Sequence, residues 1–151
     1  MHHSGEGASS DPPDLTDTTS LETKFREFAE AASEFVRTMS AENGVAYRGD
    51  PDMVRYNLGV MNKVFGKWSL EILMATYSMK SLGFGDLRHL LNGISSRILS
   101  KKLKELEELG LLERSVIGSR PPKVRYALSV RGEVLAKLGE PVILYLRRSM
   151  G

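Results

Sequence analysis

The chain has 151 residues, and its 41% hydrophobic and 26% charged fractions are those of an ordinary globular domain. It lacks the ~20-residue apolar run of a membrane span and an apolar leader, so we expect a cytoplasmic protein with no membrane partner. The absence of cysteine excludes disulfides and thiolate metal sites. The formal net charge of +2 is unevenly distributed, because residues 1–66 carry a balance of −5 and residues 80–131 a balance of +6, which favours a polyanionic partner for the second segment.

Residues 1–20 contain one leucine and, after Met1, no other large aliphatic or aromatic side chain. Such a segment cannot bury enough apolar surface to offset its conformational entropy, and we predict a disordered tail. We interpret the His2-His3 pair as a cloning remnant rather than as a weak metal contact. The sequence predicts no metal site and no cofactor.

Residues 21–63 are predicted to form a helical N-terminal extension. A first helix is expected to begin at the capping residues Thr19 and Ser20 and to end near Asn43-Gly44, and a second to cover about residues 52–65. The first helix carries apolar residues at alternating spacings of four and three, a heptad pattern along one side. These residues are Leu21, Phe25, Phe28, Ala32, Phe35 and Met39. The stripe packs either on its own domain or on a second subunit.

Residues 64–130 follow the order of a winged helix-turn-helix domain. A helix over residues 68–79 precedes a short helix over 84–91, a turn at Asn92-Gly93 and a longer helix that Ser95 caps. In the first of these helices, the candidate core residues are Trp68, Leu70, Ile72, Leu73 and Ala75. The order predicts a device that places one helix in the major groove of DNA.

Two short strands are expected to follow, over residues 111–117 and 123–128. They flank a hairpin tip over residues 118–122, where Pro121 and Pro122 suit a loop or an edge rather than a central strand. This hairpin is the predicted wing.

The last segment, residues 131–151, is predicted to be a C-terminal helix that runs from Arg131 to Arg148. Its apolar stripe is formed by Leu135, Leu138, Val142 and Tyr145. Pro141 lacks a backbone N–H, so we expect it to kink this helix or to divide it in two.

The longer helix, over residues 96–109, separates its apolar and cationic side chains onto opposite faces. On a 3.6-residue wheel, three leucines fall together on the core side, and the basic side chains fall opposite them. The leucines are Leu99, Leu103 and Leu106, and the polar face holds Ser96, Arg97, Ser100, Lys101 and Lys104. A helix that buries leucines and projects cations suits an anionic groove.

Further cations lie on the predicted wing. Lys123 and Arg125 face outwards from a strand whose alternate residues face inwards. Arg120 lies at the hairpin tip, where a DNA contact, to phosphate or in the minor groove, and plain solvation are about equally consistent. We predict that Lys104, Arg120, Lys123 and Arg125 engage phosphate. Arg97, Ser100 and Lys101 are predicted to read base edges or to position the helix, with G·C pairs in each half-site.

Six segments together resemble the HxlR-type winged-helix transcription regulators, which are relatives of the MarR regulators. The similarity covers about residues 64–138. It is carried by residues 66–69 (GKWS), 84–88 (FGDLR), 93–95 (GIS), 99–107 (LSKKLKELE), 110–114 (GLLER) and 121–128 (PPKVRYAL). Several members of that family sense electrophiles or oxidants through a cysteine near the start of the domain, and this chain has none.

The resemblance implies a homodimer held by helices outside the winged core, with one recognition helix per subunit in successive major grooves. It also implies that Ser96, Arg97, Ser100 and Lys101 belong to the stretch that contacts bases and phosphates. Relative to the family pattern, Phe65 stands where a first glycine usually precedes Gly66. The N-terminal extension is also unusually long.

The predicted fold class is therefore mainly α with a small β-wing, a winged helix-turn-helix domain with dimerisation helices at both ends. The predicted function is a sequence-specific regulator that binds double-stranded DNA as a homodimer and represses transcription by blocking promoter access. The predicted dimer interface consists of Leu21, Phe25, Phe28, Phe35, Met39, Leu135, Leu138, Val142 and Tyr145. A pocket between the dimerisation helices and the winged core would accommodate a small apolar effector, although nothing in the residues selects one.

Two other functions compete with this interpretation. An enzyme is disfavoured, because His89 lacks an acidic partner at catalytic or metal spacing and Gly83-Phe84-Gly85 lacks the later glycine of a nucleotide loop. A winged helix used as a protein-interaction or assembly module without sequence-specific DNA reading is the stronger competitor. A cationic face on the longer helix discriminates against it, because a protein-docking wing does not need one.

The heptad stripe generates a test of the dimer. Phe28→Asp or Phe35→Asp should dissociate it, because each places a charge in an apolar interface. Equilibrium sedimentation measures the outcome, and a dimer that persists in both variants would show that the dimer interface does not lie on this stripe.

Overall fold

The computed structural model describes residues 18–44 and 50–150. The chain divides into two compact units, residues 1–45 and residues 46–151. The predicted disordered tail lies, for residues 1–17, outside the described residues. Across the described ranges, no helix is both long and apolar enough to cross a membrane.

The first unit contains one helix, α1 (Thr18–Glu42), as the heptad pattern predicted. It ends where expected, since the Asn43 side chain donates to the Met39 carbonyl at 2.7 Å and Gly44 adopts a left-handed φ of 64°. Phe28 and Phe35 of the stripe are 53% and 64% exposed. The apolar side of α1 thus presents large aromatic side chains to solvent.

The second unit begins with α2 (Pro51–Val64) and α3 (Ser69–Met79). The Asp50 carboxylate accepts from the Asp52 N–H at 2.9 Å and caps α2. None of the residues of α2 is buried, whereas α3 places Ile72 and Leu73 in the core. Leu70, which we predicted to be a core residue, is instead 37% exposed.

The remaining elements have the order of a winged helix. They are β1 (Ser81–Gly83), α4 (Phe84–Leu90), α5 (Ser96–Glu108), β2 (Leu112–Ile117), β3 (Lys123–Leu128) and α6 (Val130–Ser149). The three strands form an antiparallel sheet of order β1-β3-β2, with Gly83 opposite Arg125 and Ser115 opposite Arg125 on the other side. The sequence did not predict β1, because three residues are too few to show an alternating pattern.

One core joins the helices to the sheet. Its most completely buried large side chains are Ile72 of α3, Leu87 of α4, and Leu99, Leu103 and Leu106 of α5, each at most 1% exposed. Leu82 of β1, Leu112 of β2 and the β3 residues Tyr126 and Leu128 complete it from the sheet. The fold class is as predicted: mainly α with a small β-wing.

The C-terminal helix α6 starts at a close joint with the end of α5. The Ser129 hydroxyl accepts from the Gly132 N–H at 3.0 Å and donates to the Gly110 carbonyl at 2.6 Å. The Ser129 N–H donates to the Leu111 carbonyl at 3.0 Å.

Further along, Glu140 of α6 accepts a hydrogen bond from Tyr77 of α3, and this bond raises the pKa of Tyr77 above its usual value.

Pro141 does not divide α6, contrary to one of the two outcomes that we expected for it. The helix runs without interruption from Val130 to Ser149 with the proline inside it. The helix therefore continues past the missing N–H, and its two halves form one element.

The joint at Ser129 predicts the effect of a single methyl group. A Cβ on Gly132 would lie 2.1 Å from the Leu111 carbonyl oxygen, so Gly132→Ala should lower the free energy of unfolding by about 1–3 kcal/mol or more. Gly139→Ala is the matched control on the same helix. Its Cβ would meet nothing within 4 Å, and alanine should stabilise the helix by up to about 1 kcal/mol. Urea unfolding of both variants measures this difference, and equal effects would contradict the joint.

Candidate nucleic-acid interface

Helix α5 is held at both ends by local chemistry that the sequence encodes. The Ser95 hydroxyl accepts from the Ile98 N–H at 3.1 Å and caps its start. Gly110 follows the helix with a φ of 71°, a left-handed conformation that glycine adopts without steric cost. Both features confirm the predicted limits of this helix.

The apolar face of α5 lies in the core, as the helical wheel predicted. Leu99 and Leu106 are fully buried, and Leu103 is 1% exposed. Burial of one leucine stabilises a fold by about 1.5–3 kcal/mol, so this face fixes the rotation of the helix about its axis. The opposite face is consequently directed to solvent.

The polar face of α5 is exposed along its length. Five predicted contact residues lie on it: Ser96, Arg97, Ser100, Lys101 and Lys104. Arg97 and Lys104 have no ion-pair partner within the part of the chain that the structure describes. Lys101 is 73% exposed, and its Nζ lies 3.9 Å from the Glu105 carboxylate, at the outer limit of an ion pair. The cationic face is therefore free to bind an external anion.

Glu105 pairs mainly with Lys102, a lysine that is not among the predicted DNA contacts. The Lys102 Nζ lies 3.1 Å from its carboxylate, and this side chain is only 24% exposed. Lys102 thus lies at the border between the buried and exposed faces of α5. Because Lys102 neutralises the Glu105 carboxylate, the neighbouring Lys101 remains accessible to an external anion.

The wing presents a second set of cations. Arg120 at the tip and Lys123 at the start of β3 are exposed, as is Arg114 of β2. Among the described residues, none of the three has an ion-pair partner. Two of the predicted phosphate contacts, Arg120 and Lys123, are therefore available at the wing.

Arg125 does not behave as the predicted outward cation. Its Nε donates to the Ser81 hydroxyl at 3.1 Å, its Nη2 to the Ser81 carbonyl at 2.8 Å, and its Nη1 lies 3.3 Å from the Asp86 carboxylate. The side chain is 34% exposed. Because all three nitrogens have partners inside the domain, we correct the prediction and remove Arg125 from the set of free cations. Sequence alone could not reveal this, since Asp86 is distant along the chain and β1 was not predicted.

The residues predicted for a dimer interface differ in exposure. Phe28, Phe35, Leu138, Val142 and Tyr145 are exposed, and Leu21, Phe25, Met39 and Leu135 are half-buried. The sequence predicted helix α2 but not its apolar stripe, whose Val54, Leu58 and Met61 are each at least 50% exposed. Their spacing of four and three residues along α2 was a signal that could have revealed this stripe.

An apolar groove of about 380 Å³ lies between α3 and α6. Leu73 and Met74 line it from α3, and Leu135, Leu138 and Val142 line it from α6. Three of the residues predicted for the dimer interface thus also form a wall of this groove. Tyr145 is not among its lining residues.

No arrangement of catalytic or metal-binding side chains emerges in the described segments. They contain no group of three or more acidic, histidine or cysteine residues that could hold a metal ion. His89 is exposed on α4. The chemistry that this surface offers is the binding of an anionic partner.

The Ser95 cap predicts a specific loss of stability. Ser95→Ala removes the acceptor for the Ile98 N–H and should lower the free energy of unfolding by about 0.5–2 kcal/mol. Ser96→Ala is the neighbouring control, because this exposed serine does not cap the helix. Chemical denaturation measures both. A Ser95 variant as stable as the Ser96 variant would contradict the assigned cap.

Comparison with known proteins agrees with this geometry. The model of the HxlR-like helix-turn-helix family matches residues 63–147. The chain is 30% identical over 103 residues to an uncharacterised HTH-type transcriptional regulator of Methanothermobacter thermautotrophicus, in an alignment that covers 66% of this chain and 78% of that protein. It is 37% identical over 78 residues to the uncharacterised HTH-type transcriptional regulator YdzF of Bacillus subtilis, which covers 52% of this chain and 72% of YdzF.

A solved structure supports the same assignment. The crystal structure of a MarR-family transcriptional regulator from Enterococcus faecalis superimposes with a TM-score of 0.53 at 27% identity, and the match covers 70% of this chain and 96% of that one. Its fold and the sequence relatives are those of transcriptional regulators rather than enzymes. This chain therefore belongs to the HxlR-like helix-turn-helix family of transcriptional regulators, as the family match shows and as the winged helix-turn-helix architecture and the exposed cationic face of α5 agree.

Proposed function

We propose that this protein is a sequence-specific DNA-binding repressor that acts as a homodimer in the cytoplasm. The observation that carries the proposal is the division of α5 into a buried leucine face and an exposed cationic face whose Arg97 and Lys104 have no partner in the described residues. A helix mounted in this way presents its charges to the major groove without first breaking internal ion pairs.

Contacts to DNA divide into two groups. Arg97, Ser100 and Lys101, with Ser96 in the first turn, lie in the N-terminal half of α5 and read base edges or set the register of the helix. Arginine and lysine pair best with guanine O6 and N7, so each half-site contains G·C pairs. Lys104, Arg120 and Lys123 contact phosphate, and these contacts supply affinity without sequence information.

Homodimerisation is supported by the apolar surface that the chain exposes. Phe28 and Phe35 on α1, and Leu138 and Val142 on α6, are each more than half exposed, and large apolar patches of this kind mark interfaces. We add the α2 residues Val54, Leu58 and Met61 to the interface predicted from the sequence. Two-fold symmetry then places half-sites about 34 Å apart or at a multiple of that distance.

Repression follows from occupancy of a promoter by such a dimer. The groove between α3 and α6 is where we place an apolar effector, since its volume and lining are those of a small-molecule site. Leu138 and Val142 belong both to this groove and to the proposed interface. An effector bound there would therefore change the surface through which the subunits associate.

The proposed DNA binding has a salt dependence that can be measured. If each subunit neutralises about four phosphates, with Lys104, Arg120 and Lys123 among the contacts, log K against log salt should have a slope of about −7 for the dimer. Filter binding of random-sequence duplex DNA over a range of salt concentrations measures it. Lys104→Ala should reduce the magnitude of the slope by about 2, one phosphate contact per subunit.

Lys137→Ala is the matched control, because it removes an exposed cation that we do not place at the DNA. Its slope should equal that of the parent protein. A flat salt response of the parent would reject the electrostatic interface and favour a winged helix that docks on protein. Selection of duplexes from a random pool would then test sequence specificity and yield the operator.

A further inference from the structure

The clearest feature that DNA contact does not explain is the network around Arg125. Its guanidinium bridges β1 and α4, since it donates to both oxygens of Ser81, the hydroxyl and the carbonyl, and reaches Asp86 at 3.3 Å. The same Asp86 oxygen accepts from the Gly83 N–H at 2.9 Å. One arginine on the central strand thus ties together the root of the wing, strand β1 and the first turn of α4.

Gly83 provides the space for this network. A Cβ at position 83 would lie 3.2 Å from the Asp86 carboxylate oxygen and 3.8 Å from Nη1 of Arg125. The first of these separations is tighter than ordinary van der Waals contact, so a side chain here would press on the ion pair. The backbone of Gly83 also faces Arg125 in the register of β1 and β3.

The position of the network makes it a control point for the wing. Arg125 is the third residue of β3, and Lys123 begins that strand on the same side. At about 3.3 Å per residue, the Arg120 tip lies up to about 16 Å beyond the network. A tilt of roughly 10° at the root would move the tip by about 3 Å, which is enough to break a hydrogen bond to phosphate.

We propose that Arg125 and Asp86 form a positioning pair, which holds the wing against α4 so that Arg120 and Lys123 reach the phosphate backbone while Arg125 itself does not touch DNA. This inference rests on the proposed DNA binding and adds the device that orients the wing. The pair carries no net charge, so its contribution to binding is geometric. Asp86 therefore favours DNA binding although it is an acid.

The sign of the Asp86 effect separates this role from direct contact. If Arg125 bound phosphate, Asp86→Ala would remove a competing carboxylate and strengthen DNA binding. If the pair positions the wing, Asp86→Ala and Arg125→Ala should both weaken binding, by about threefold or more for lost phosphate contacts. The double variant should bind within about twofold of either single variant, because residues that act as one unit are not additive.

Fluorescence anisotropy with a labelled random-sequence duplex of about 30 base pairs, long enough for two half-sites, measures these affinities for the full chain. Arg125→Lys is the informative conservative variant. It keeps the charge but replaces three separate nitrogens by one, so it cannot reproduce the full set of bonds to Ser81 and Asp86 and should weaken binding as much as Arg125→Ala. Asp86→Ala and Arg125→Ala should also lower the magnitude of the salt slope by up to about 2 per subunit, because the Arg120 and Lys123 contacts to phosphate are lost.

The Asp52–Arg55 ion pair of α2 supplies matched controls. Both side chains are highly exposed, and Asp52→Ala and Arg55→Ala change the net charge by the same amounts as the test variants. Each control should leave the affinity unchanged. Circular dichroism checks that every variant is folded, and Asp86→Asn, which keeps an oxygen for the Gly83 N–H, replaces Asp86→Ala if the latter unfolds.

The proposal is overturned if the Asp86 variant binds as tightly as the parent or more tightly while Arg125→Ala binds more weakly, or if Arg125→Lys retains parental affinity. Unchanged affinity in every variant overturns it as well. A parent protein that does not bind the duplex at all would instead reject the proposed function, so the two failures are distinct.

Discussion

The burial of three leucines of α5 is the interaction on which the position of the cationic surface depends. Leu99, Leu103 and Leu106 have almost no exposed area and share one core with residues of α3, α4 and the sheet. A helix anchored along one side cannot rotate without exposing these side chains, which would cost several kcal/mol at about 1.5–3 kcal/mol each. The direction of its cationic face is therefore a property of the core rather than of the cations themselves.

The cations of the domain fall into two classes that the sequence does not separate. Arg97, Lys104 and Lys123 are exposed and unpaired within the described residues, whereas Arg125 is tied to Asp86 and Ser81. The first class supplies a surface for an external polyanion. The second neutralises itself and supplies rigidity, so the number of basic residues overstates the charge that is available for binding.

Helix α6 connects the winged core to the exposed apolar surface. At its start, Ser129 and Gly132 hold it against the backbone that follows α5. Further along, Leu135, Leu138 and Val142 line the groove between α3 and α6. A change in the packing of this helix would reach the backbone that follows α5 through the two hydrogen bonds of Ser129, which is a short physical route between the groove and the end of α5.

Much of this domain could be predicted from the sequence, because its strongest signals are local. The leucine and lysine periodicity of α5, the Ser95 cap, and the glycine after the helix each act within a few residues of the chain. The heptad of α1 and the hairpin at Pro121-Pro122 are signals of the same kind. Local propensity and hydrophobic periodicity specify these elements without reference to tertiary contacts.

What only the tertiary structure decided concerns residues that meet across long stretches of chain. Strand β1 is too short to show a pattern, and it exists because β3 offers it a pairing edge. Arg125 looks like a surface cation until Ser81 and Asp86 are placed beside it. Leu70 was expected in the core but is exposed, and the exposed apolar stripe of α2 was not predicted. The sequence by itself determined the helices, the wing and the cationic face, since periodicity is encoded locally, whereas the partner of each charge and the burial of each apolar residue depend on distant neighbours.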